Sequence, residues 1–147
     1  MRRILLLIFA TLLFQPAFCA VGDILTKWIS SDGTVYDECA EGRIEMKFEV
    51  LSDVEGDRTC KVGTSQTNPR AISDEITGNV IIPSIVDGYI VSIIGERAFW
   101  YSQAENFTLP NSIDTIGSRA FENCSKIETF RVPNSVVFIN DYAIGSL

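Results

Sequence analysis

Apolar positions recur with a long period in the second half of the chain. Residues 94–113 read IGERAFWYSQAENFTLPNSI, and residues 116–136 repeat this pattern closely as IGSRAFENCSKIETFRVPNSV. The isoleucines that open successive copies, Ile94, Ile116 and Ile139, are 22 and then 23 residues apart, so a third copy begins near the end of the sequence. A self-similar period of this size is typical of a solenoid, whose repeats bury their apolar faces only against their neighbours.

Each copy contains a short alternation of apolar and polar residues that stops at a proline. Pro83, Pro110 and Pro133 each close such a segment, and proline cannot donate a hydrogen bond to a strand ladder. Because side chains alternate along a strand, every second residue is predicted to face solvent while its neighbours stack into a continuous core. The two predicted solvent-facing rows are Asn79, Asn106 and Thr129, and Ile81, Thr108 and Arg131.

The residues before and inside the first copy predict two hairpins. Apolar and charged residues alternate from Ile44 to Val50, and a second β-prone run follows at residues 59–62, so residues 43–63 are predicted to form a hairpin. Asp87 and Gly88 lie between two β-prone runs and predict a two-residue turn. Residues 63–77 are predicted to be irregular, and residues 21–41 give no clear assignment beyond a turn at Asp32-Gly33.

Residues 1–20 have the layout of a secretory signal peptide. A short basic start precedes an apolar run at residues 4–14, which is too short to span a bilayer permanently. We expect cleavage after Cys19 or Ala20 and a mature chain that is secreted or displayed at the cell surface. Lipidation of Cys19 is disfavoured because the bulky Phe18 precedes it. No other segment is predicted to cross a membrane.

The net charge of the chain argues against some classes of binding partner. The formal net charge is −7, and removal of the signal peptide with its two arginines would take it to −9. Nucleic acids and anionic membranes bind Lys and Arg, so this balance argues against both as partners. The chain has no histidine, which removes the commonest acid–base group at neutral pH, and we predict no catalytic residues.

Three cysteines follow the signal peptide: Cys39, Cys60 and Cys124. An odd number leaves at least one unpaired within the chain, and secretion permits a disulfide between Cys39 and Cys60. Cys124 is predicted to be a small buried residue of the repeat. The sequence contains no C-x-x-C motif and no histidine–cysteine cluster, so we predict no metal site and no cofactor.

The pattern IGxxAFxxCxxIxxFxVPxSV at residues 116–136 resembles the leucine-rich repeat of the BspA type, found in surface and secreted proteins of gut and oral bacteria. The resemblance covers residues 58–147, more loosely before Gly78. It implies an α/β solenoid, a short leucine-rich-repeat coil with a parallel sheet on one side and short helices or turns on the other. An N-terminal β-hairpin cap would precede the coil.

The signal-peptide pattern and the resemblance together divide the chain into three parts. These are a signal peptide at residues 1–20, a β-rich cap at 21–77, and repeats at 78–147, about two and a half copies with the last incomplete. The family is associated with adhesion and protein binding and implies no family-wide catalytic residues.

Two groups of residues are candidate binding surfaces. Trp100 and Tyr101 stand where the next copy has Glu122 and Asn123, which suggests an exposed aromatic anchor. The alternative is that this pair packs against the insertion hairpin around Tyr89 or against the N-terminal segment. The second candidate is the pair of solvent-facing strand rows, since solenoids commonly bind partners on their sheet face. Its alternative is an ordinary solvated face with a hydrogen-bonded asparagine ladder.

Two functions follow from these features. The first is a non-catalytic, secreted or surface-displayed protein that binds a protein partner, either a host matrix protein or a cell-envelope protein. The alternative is a structural N-terminal cap or truncated fragment of a longer repeat array, with no ligand of its own.

Overall fold

The computed structural model describes residues 19–145. All of the predicted signal peptide except Cys19 and Ala20 therefore lies outside the described residues, and its cleavage stays a prediction. Within residues 19–145 the structure has strands and turns but no helix. The strands are β1 (Ile24–Ile29), β2 (Val35–Tyr36), β3 (Ile44–Ser52), β4 (Thr59–Val62), β5 (Gly78–Ile81), β6 (Ile85–Val86), β7 (Tyr89–Ile94), β8 (Ala104–Thr108), β9 (Thr115–Ile116), β10 (Thr129–Phe130) and β11 (Phe138–Ile139).

The strands form two sheets. The larger has the order β11-β9-β7-β4-β3-β1-β2, with β6 paired to β7, and the smaller has the order β10-β8-β5. Pairing is antiparallel from β2 to β4 and between β6 and β7, and it is parallel from β4 through β7 and β9 to β11. All pairing in the smaller sheet is parallel. The N-terminal hairpins therefore extend the solenoid's own sheet and cap its first coil.

Equivalent residues of successive copies pair with each other, as the period predicts. Ile94 pairs with Ile116, which pairs with Ile139. In the core the rings of Phe99 and Phe121 stack with their centroids 5.1 Å apart. Phe107 contacts both rings, at 4.6 and 5.0 Å. The solenoid and its parallel sheets are thus confirmed.

In each coil, the segment that leads from a strand of the larger sheet to a strand of the smaller sheet, which we call the return side, consists of turns rather than a helix. Arg97 and Arg119 occupy the same place in successive turns and share a left-handed backbone, with φ of 52° and 57°. The turn backbone bonds from coil to coil: the amide of Phe99 donates to Ala120 (2.9 Å), and that of Phe121 donates to Ala143 (2.8 Å). Amides that bond to the next coil alternate with amides that bond three residues back, as Trp100 does to Arg97 (3.2 Å), so no continuous helical ladder forms. The helical component of the expected α/β class is absent from the described residues for this reason.

The first coil begins earlier than the repeat pattern indicates. The amide of Gly95 donates to the carbonyl of Val62 (2.9 Å), just as the amide of Gly117 donates to Ile94 (2.8 Å). The amide of Ala71 donates to Ala98 at 2.7 Å, which gives Ala71 the place of the turn alanines in later copies. The irregular residues 63–77 are therefore the return side of a coil that starts at β4, and a boundary between residues 77 and 78 passes through this coil.

Both predicted hairpins are confirmed. In β3 the side chains of Met46, Phe48 and Val50 are buried, as the alternation predicts. The β6–β7 turn has positive φ at Asp87 (49°) and Gly88 (83°), the backbone that two-residue hairpins favour.

Polar contacts tie the cap to the β6–β7 hairpin. Buried Lys27 forms ion pairs with Asp37 and with Asp87, the latter at 2.6 Å. The hydroxyl of Tyr89 donates to Asp53 (2.8 Å) and accepts a hydrogen bond from the amide of Cys19 (3.2 Å). These contacts fix the cap against the solenoid.

The last described coil exposes apolar side chains. Phe138, Ile139 and Tyr142 are 64%, 54% and 68% exposed, whereas Ile116, one coil earlier, is fully buried. The difference arises because no coil covers this face among the described residues.

Candidate protein-binding surface

Side chains on the smaller sheet form a hydrogen-bonded ladder. Asn79, Asn106 and Thr129 lie side by side on β5, β8 and β10, in the register predicted for this row. The Nδ2 of Asn106 donates to Oδ1 of Asn79, and the hydroxyl of Thr129 donates to Oδ1 of Asn106, both at 3.0 Å. Asn79 and Thr129 are exposed and Asn106 is half-buried. The ladder therefore presents a pre-ordered polar row at the surface.

The second predicted row is only partly exposed. Thr108 pairs in register with Ile81 and is exposed, and so is Arg131, just beyond β10. Ile81, in contrast, is half-buried, which corrects its expected exposure. The cause is the β1–β2 turn: a Cβ added at Gly33 would lie 2.9 Å from Cγ2 of Ile81. The cap turn thus covers the N-terminal edge of the smaller sheet.

The C-terminal part of the smaller sheet borders a surface groove, which we call the sheet groove. Its volume is about 560 Å³. Its polar rim is uncharged except for the guanidinium of Arg131, and its floor includes the half-buried ring of Phe130. The residues that form it are Asn106, Phe107, Thr108, Leu109, Asn111, Thr129, Phe130, Arg131 and Pro133.

The sheet groove unites four of the predicted row residues and leaves two outside. Asn106, Thr108, Thr129 and Arg131 form part of it, whereas Asn79 and Ile81 do not. The strand alternation does not indicate Asn111, although this residue directly follows a strand-closing proline. That position is the signal that would have found it.

Trp100 and Tyr101 do not form a single exposed anchor. Their rings contact edge to face with centroids 4.7 Å apart, and Tyr101 is 47% exposed. Trp100 is half-buried and lies against residues 67–70, with the guanidinium carbons of Arg70 and Arg97 at 5.7 and 5.8 Å from its ring centroid. Trp100 therefore packs on the N-terminal segment, which was one of the alternatives, and Tyr101 keeps an exposed surface.

The cysteines are free thiols in the structure. Cys39 is exposed in the segment before β3, whereas Cys60 is fully buried in β4, so the bridge between them that the sequence permits is not formed. Burial raises the pKa of the Cys60 thiol to about 12 and that of Cys124 to about 11. Cys124 is fully buried, as predicted, and its thiol lies 3.0 Å from the carbonyl oxygen of Phe99.

Features of other classes of site are sparse. In the part of the chain that the structure describes, no group of three or more His, Cys, Asp or Glu residues could hold a metal ion. No helix within residues 19–145 is long and apolar enough to cross a bilayer. The acidic turn at residues 53–57 directs the carboxylate of Asp53 to Arg58, at 3.1 Å, and to the hydroxyl of Tyr89.

Comparisons with known proteins agree with this geometry. A family profile described as "BspA type Leucine rich repeat region (6 copies)" matches residues 71–146. A leucine-rich repeat protein from T. pallidum is 24% identical with a TM-score of 0.54, and the match covers 67% of this chain but only 42% of that protein. A leucine-rich repeat protein from Bacteroides capillosus is 25% identical with a TM-score of 0.52, covering 67% of this chain and 68% of that one. No curated protein matches the chain significantly.

Proposed function

Because the chain belongs to the BspA-type leucine-rich repeat family, we propose that it is a non-catalytic adhesion protein that binds a protein partner outside the cell. The proposed location is the extracellular medium or the cell surface, which rests on the signal-peptide pattern of residues 1–20. The proposed partner is a host matrix protein or a protein of the cell envelope. The proposed binding surface is the sheet groove.

The observation that supports this surface is the ordered polar row beside an open groove. Asn106 is already held by Asn79 and Thr129, so its orientation is fixed before a partner arrives. Pre-ordered side chains lose little entropy on binding, which favours affinity. Arg131 supplies one exposed cation to a surface that is otherwise amide, hydroxyl and apolar. Arginine is among the residues that contribute most to protein interfaces.

The test is a pair of charge-matched variants. The Thr108→Glu/Arg131→Glu chain places two carboxylates in the sheet groove, and the Ser125→Glu/Lys126→Glu chain makes the same change in net charge at two exposed residues that do not line it. Both chains are assayed for binding to an immobilised panel of matrix proteins and envelope proteins. We expect the groove variant to weaken binding about tenfold or more, with the Ser125→Glu/Lys126→Glu chain close to the unaltered chain. Equal binding by all three chains would place the interface elsewhere.

A second function, a stacking surface for further repeat coils, is supported by the exposed end of the solenoid. Phe138 and Ile139 lie on β11 with most of their surface exposed, at positions that stack on the next coil everywhere earlier in the array. Residues 125–138 appended after residue 147 complete the copy that begins at Ile139, and two further copies of residues 116–138 after them would cover Phe138 and Ile139. We expect the melting temperature to rise by several degrees. Appended copies with serine at the core isoleucine and phenylalanine serve as control, and an unchanged melting temperature counts against this function.

A further inference from the structure

A second cavity, separate from the sheet groove, lies where the first two coils meet on their return side. Its volume is about 470 Å³, within the range of about 300–1,000 Å³ typical of small-ligand sites. We call it the indole cavity, and it shares no lining residue with the sheet groove. The residues that line it are Thr67, Asn68, Pro69, Arg70, Arg97 and Trp100.

Arginine side chains give this cavity a positive lining on a chain of net negative charge. Arg119 lies 4.0 Å from Glu122, whereas in the coil of Arg97, one coil earlier, the place of Glu122 is taken by Trp100. Arg97 therefore faces an indole ring where Arg119 has a carboxylate. Its ion pair is with the neighbouring Glu96, at 3.4 Å, and both side chains are exposed enough for water to compete.

Arg70 forms a closer ion pair than Arg97 does, but the pair does not use all of its N–H donors. Its Nη1 lies 2.6 Å from a carboxylate oxygen of Asp74, a residue outside the cavity lining. A guanidinium carries five N–H donors, so this pair leaves donors for a second acceptor. Together the two arginines offer the planar forks that bind carboxylates in two-point fashion.

The indole N–H of Trp100 is the unsatisfied donor of this corner. Its Nε1 is buried and has no hydrogen-bond partner among the described residues. Because this atom has almost no accessible surface, a ligand in the cavity can contact the indole ring but not its N–H. Trp100 and Pro69 also provide apolar surface, and Thr67 and Asn68 provide hydroxyl and amide groups.

We propose that the indole cavity binds a sugar acid. The carboxylate pairs with Arg97 and Arg70, the ring oxygens meet the groups of Thr67 and Asn68, and the apolar face of the sugar rests on the indole ring and on Pro69. This mixture of cation, apolar wall and hydroxyl partners matches a carboxylated sugar better than a bare oxyanion. The site is independent of the protein-binding surface proposed above.

The probe is D-glucuronate, titrated into the chain with D-glucose as the uncharged control. The sequence has two tryptophans, so the ¹⁵N spectrum contains the indole signals of Trp28 and Trp100, which a Trp28→Phe chain assigns. We expect a saturable shift of the Trp100 indole N–H with glucuronate and none with glucose, while Trp28 stays fixed. Absence of a saturable shift at about 50 mM glucuronate overturns the proposal.

Matched arginine variants locate the site. Arg97→Gln is expected to weaken glucuronate binding about tenfold or more, and Arg119→Gln, at the same place one coil later, to change it less than about twofold. Arg97→Lys keeps the charge without the fork and should fall between them, which preserves the test if Arg97→Gln fails to fold. Equal effects at both arginines would overturn the proposal.

Two further ligands test the class of ligand. Glutarate represents the carboxylate of an acidic peptide, and inorganic phosphate represents a bare oxyanion. Tighter binding of either than of glucuronate refutes the sugar-acid assignment. The Thr108→Glu/Arg131→Glu chain should bind glucuronate as the unaltered chain does, so failure here and failure of the protein-binding proposal are distinguishable.

Discussion

The side-chain amide of Asn106 donates to the side-chain oxygen of Asn79, which lies 27 positions earlier in the chain, over a distance of 3.0 Å. The two residues occupy the same row of neighbouring parallel strands. The same Asn106 accepts a hydrogen bond from Thr129, so both ends of its amide are engaged. The ladder thereby links three successive strands of the smaller sheet through side chains as well as backbone.

Removal of the middle of this ladder should destabilise the fold modestly. Asn106→Ala deletes both side-chain hydrogen bonds, and we expect the free energy of unfolding to fall by about 1 kcal/mol, because exposed hydrogen bonds contribute little each. Urea denaturation measures this. Asn111→Ala is the control, since Asn111 is an exposed asparagine in the same groove outside the ladder. Equal losses for both variants would mean that the ladder contributes nothing specific.

The turn that covers Ile81 makes a sharp prediction at Gly33. Gly33 and Gly42 both have positive φ, at 85° and 78°, so alanine is strained at either. Of these two glycines, only Gly33 has a neighbour that a new Cβ would meet, the side chain of Ile81. We expect Gly42→Ala to cost about 1 kcal/mol of stability and Gly33→Ala about 1–3 kcal/mol more.

A second substitution checks the cause of that difference. Ile81→Ala removes the atom that a Cβ at residue 33 would meet, so the additional cost of Gly33→Ala should largely vanish in the Ile81→Ala background. Melting temperatures of the four chains give the coupling. Strict additivity would show that the cap turn does not rest on Ile81.

The cysteines should differ in reactivity with iodoacetamide. The thiolate is the reactive form, and burial raises the pKa of Cys60 to about 12 and of Cys124 to about 11, so both stay protonated near pH 8. Cys39 is exposed. In the folded chain we expect rapid labelling of Cys39 and slow labelling of the other two, read by mass spectrometry. Cys39 that resists labelling until a reductant is added would indicate a disulfide that the structure lacks.

The free energy of unfolding should fall more when Lys27 loses both carboxylate partners than when Lys27 itself is replaced. Its side chain is 10% exposed, whereas Asp37 and Asp87 are 82% and 43% exposed. The Asp37→Asn/Asp87→Asn chain leaves a largely buried ammonium without a counter-charge, and we expect a loss of about 2–4 kcal/mol. Lys27→Met leaves carboxylates that water can solvate, and we expect a smaller loss. The reverse order in urea denaturation would refute the ion-pair assignment.

The ion pairs of Lys27 also predict that the stability of the fold depends on pH. Burial alone would lower the pKa of Lys27, but hydrogen bonds and charge from Asp37 and Asp87 outweigh it and raise the pKa above 10.5. A raised pKa in the folded state contributes stability that is fully present below pH 10.5 and is lost as the pH rises through the folded value. The stability difference between the unaltered chain and Lys27→Met should therefore shrink above pH 10.5. A difference that stays constant would contradict this.

The repeat pattern predicts the ladder of the solenoid because the same apolar positions recur at a nearly fixed spacing along the sequence. The secondary structure of residues 21–41 is harder to predict, and β1 shows the reason. Leu25, Lys27 and Ile29 all face the core, but a lysine on the buried face hides the alternation that marks a strand. Only carboxylates outside the strand, that of Asp37 and that of Asp87, 60 positions after Lys27, make that lysine compatible with burial.

The exposure of the candidate residues follows the prediction where it depends on strand register and departs from it where it depends on packing between distant segments. Thr108 and Arg131 are exposed as the alternation requires, but Ile81 is covered by a turn nearly 50 positions earlier. Comparison with Glu122 suggested that Trp100 is exposed. Instead, Arg70, in a loop of the preceding coil that lacks recognisable repeat sequence, lies over its ring.

Hydrogen–deuterium exchange of the chain with and without a bound panel protein tests most directly whether the sheet groove is the surface that binds a protein partner. We predict that added protection concentrates on residues 104–111 and 129–133, with residues 24–62 unchanged. Protection confined to residues 24–62, or to residues 67–70 and 97–101, with the sheet groove still exchanging as in the free chain, would contradict this proposal.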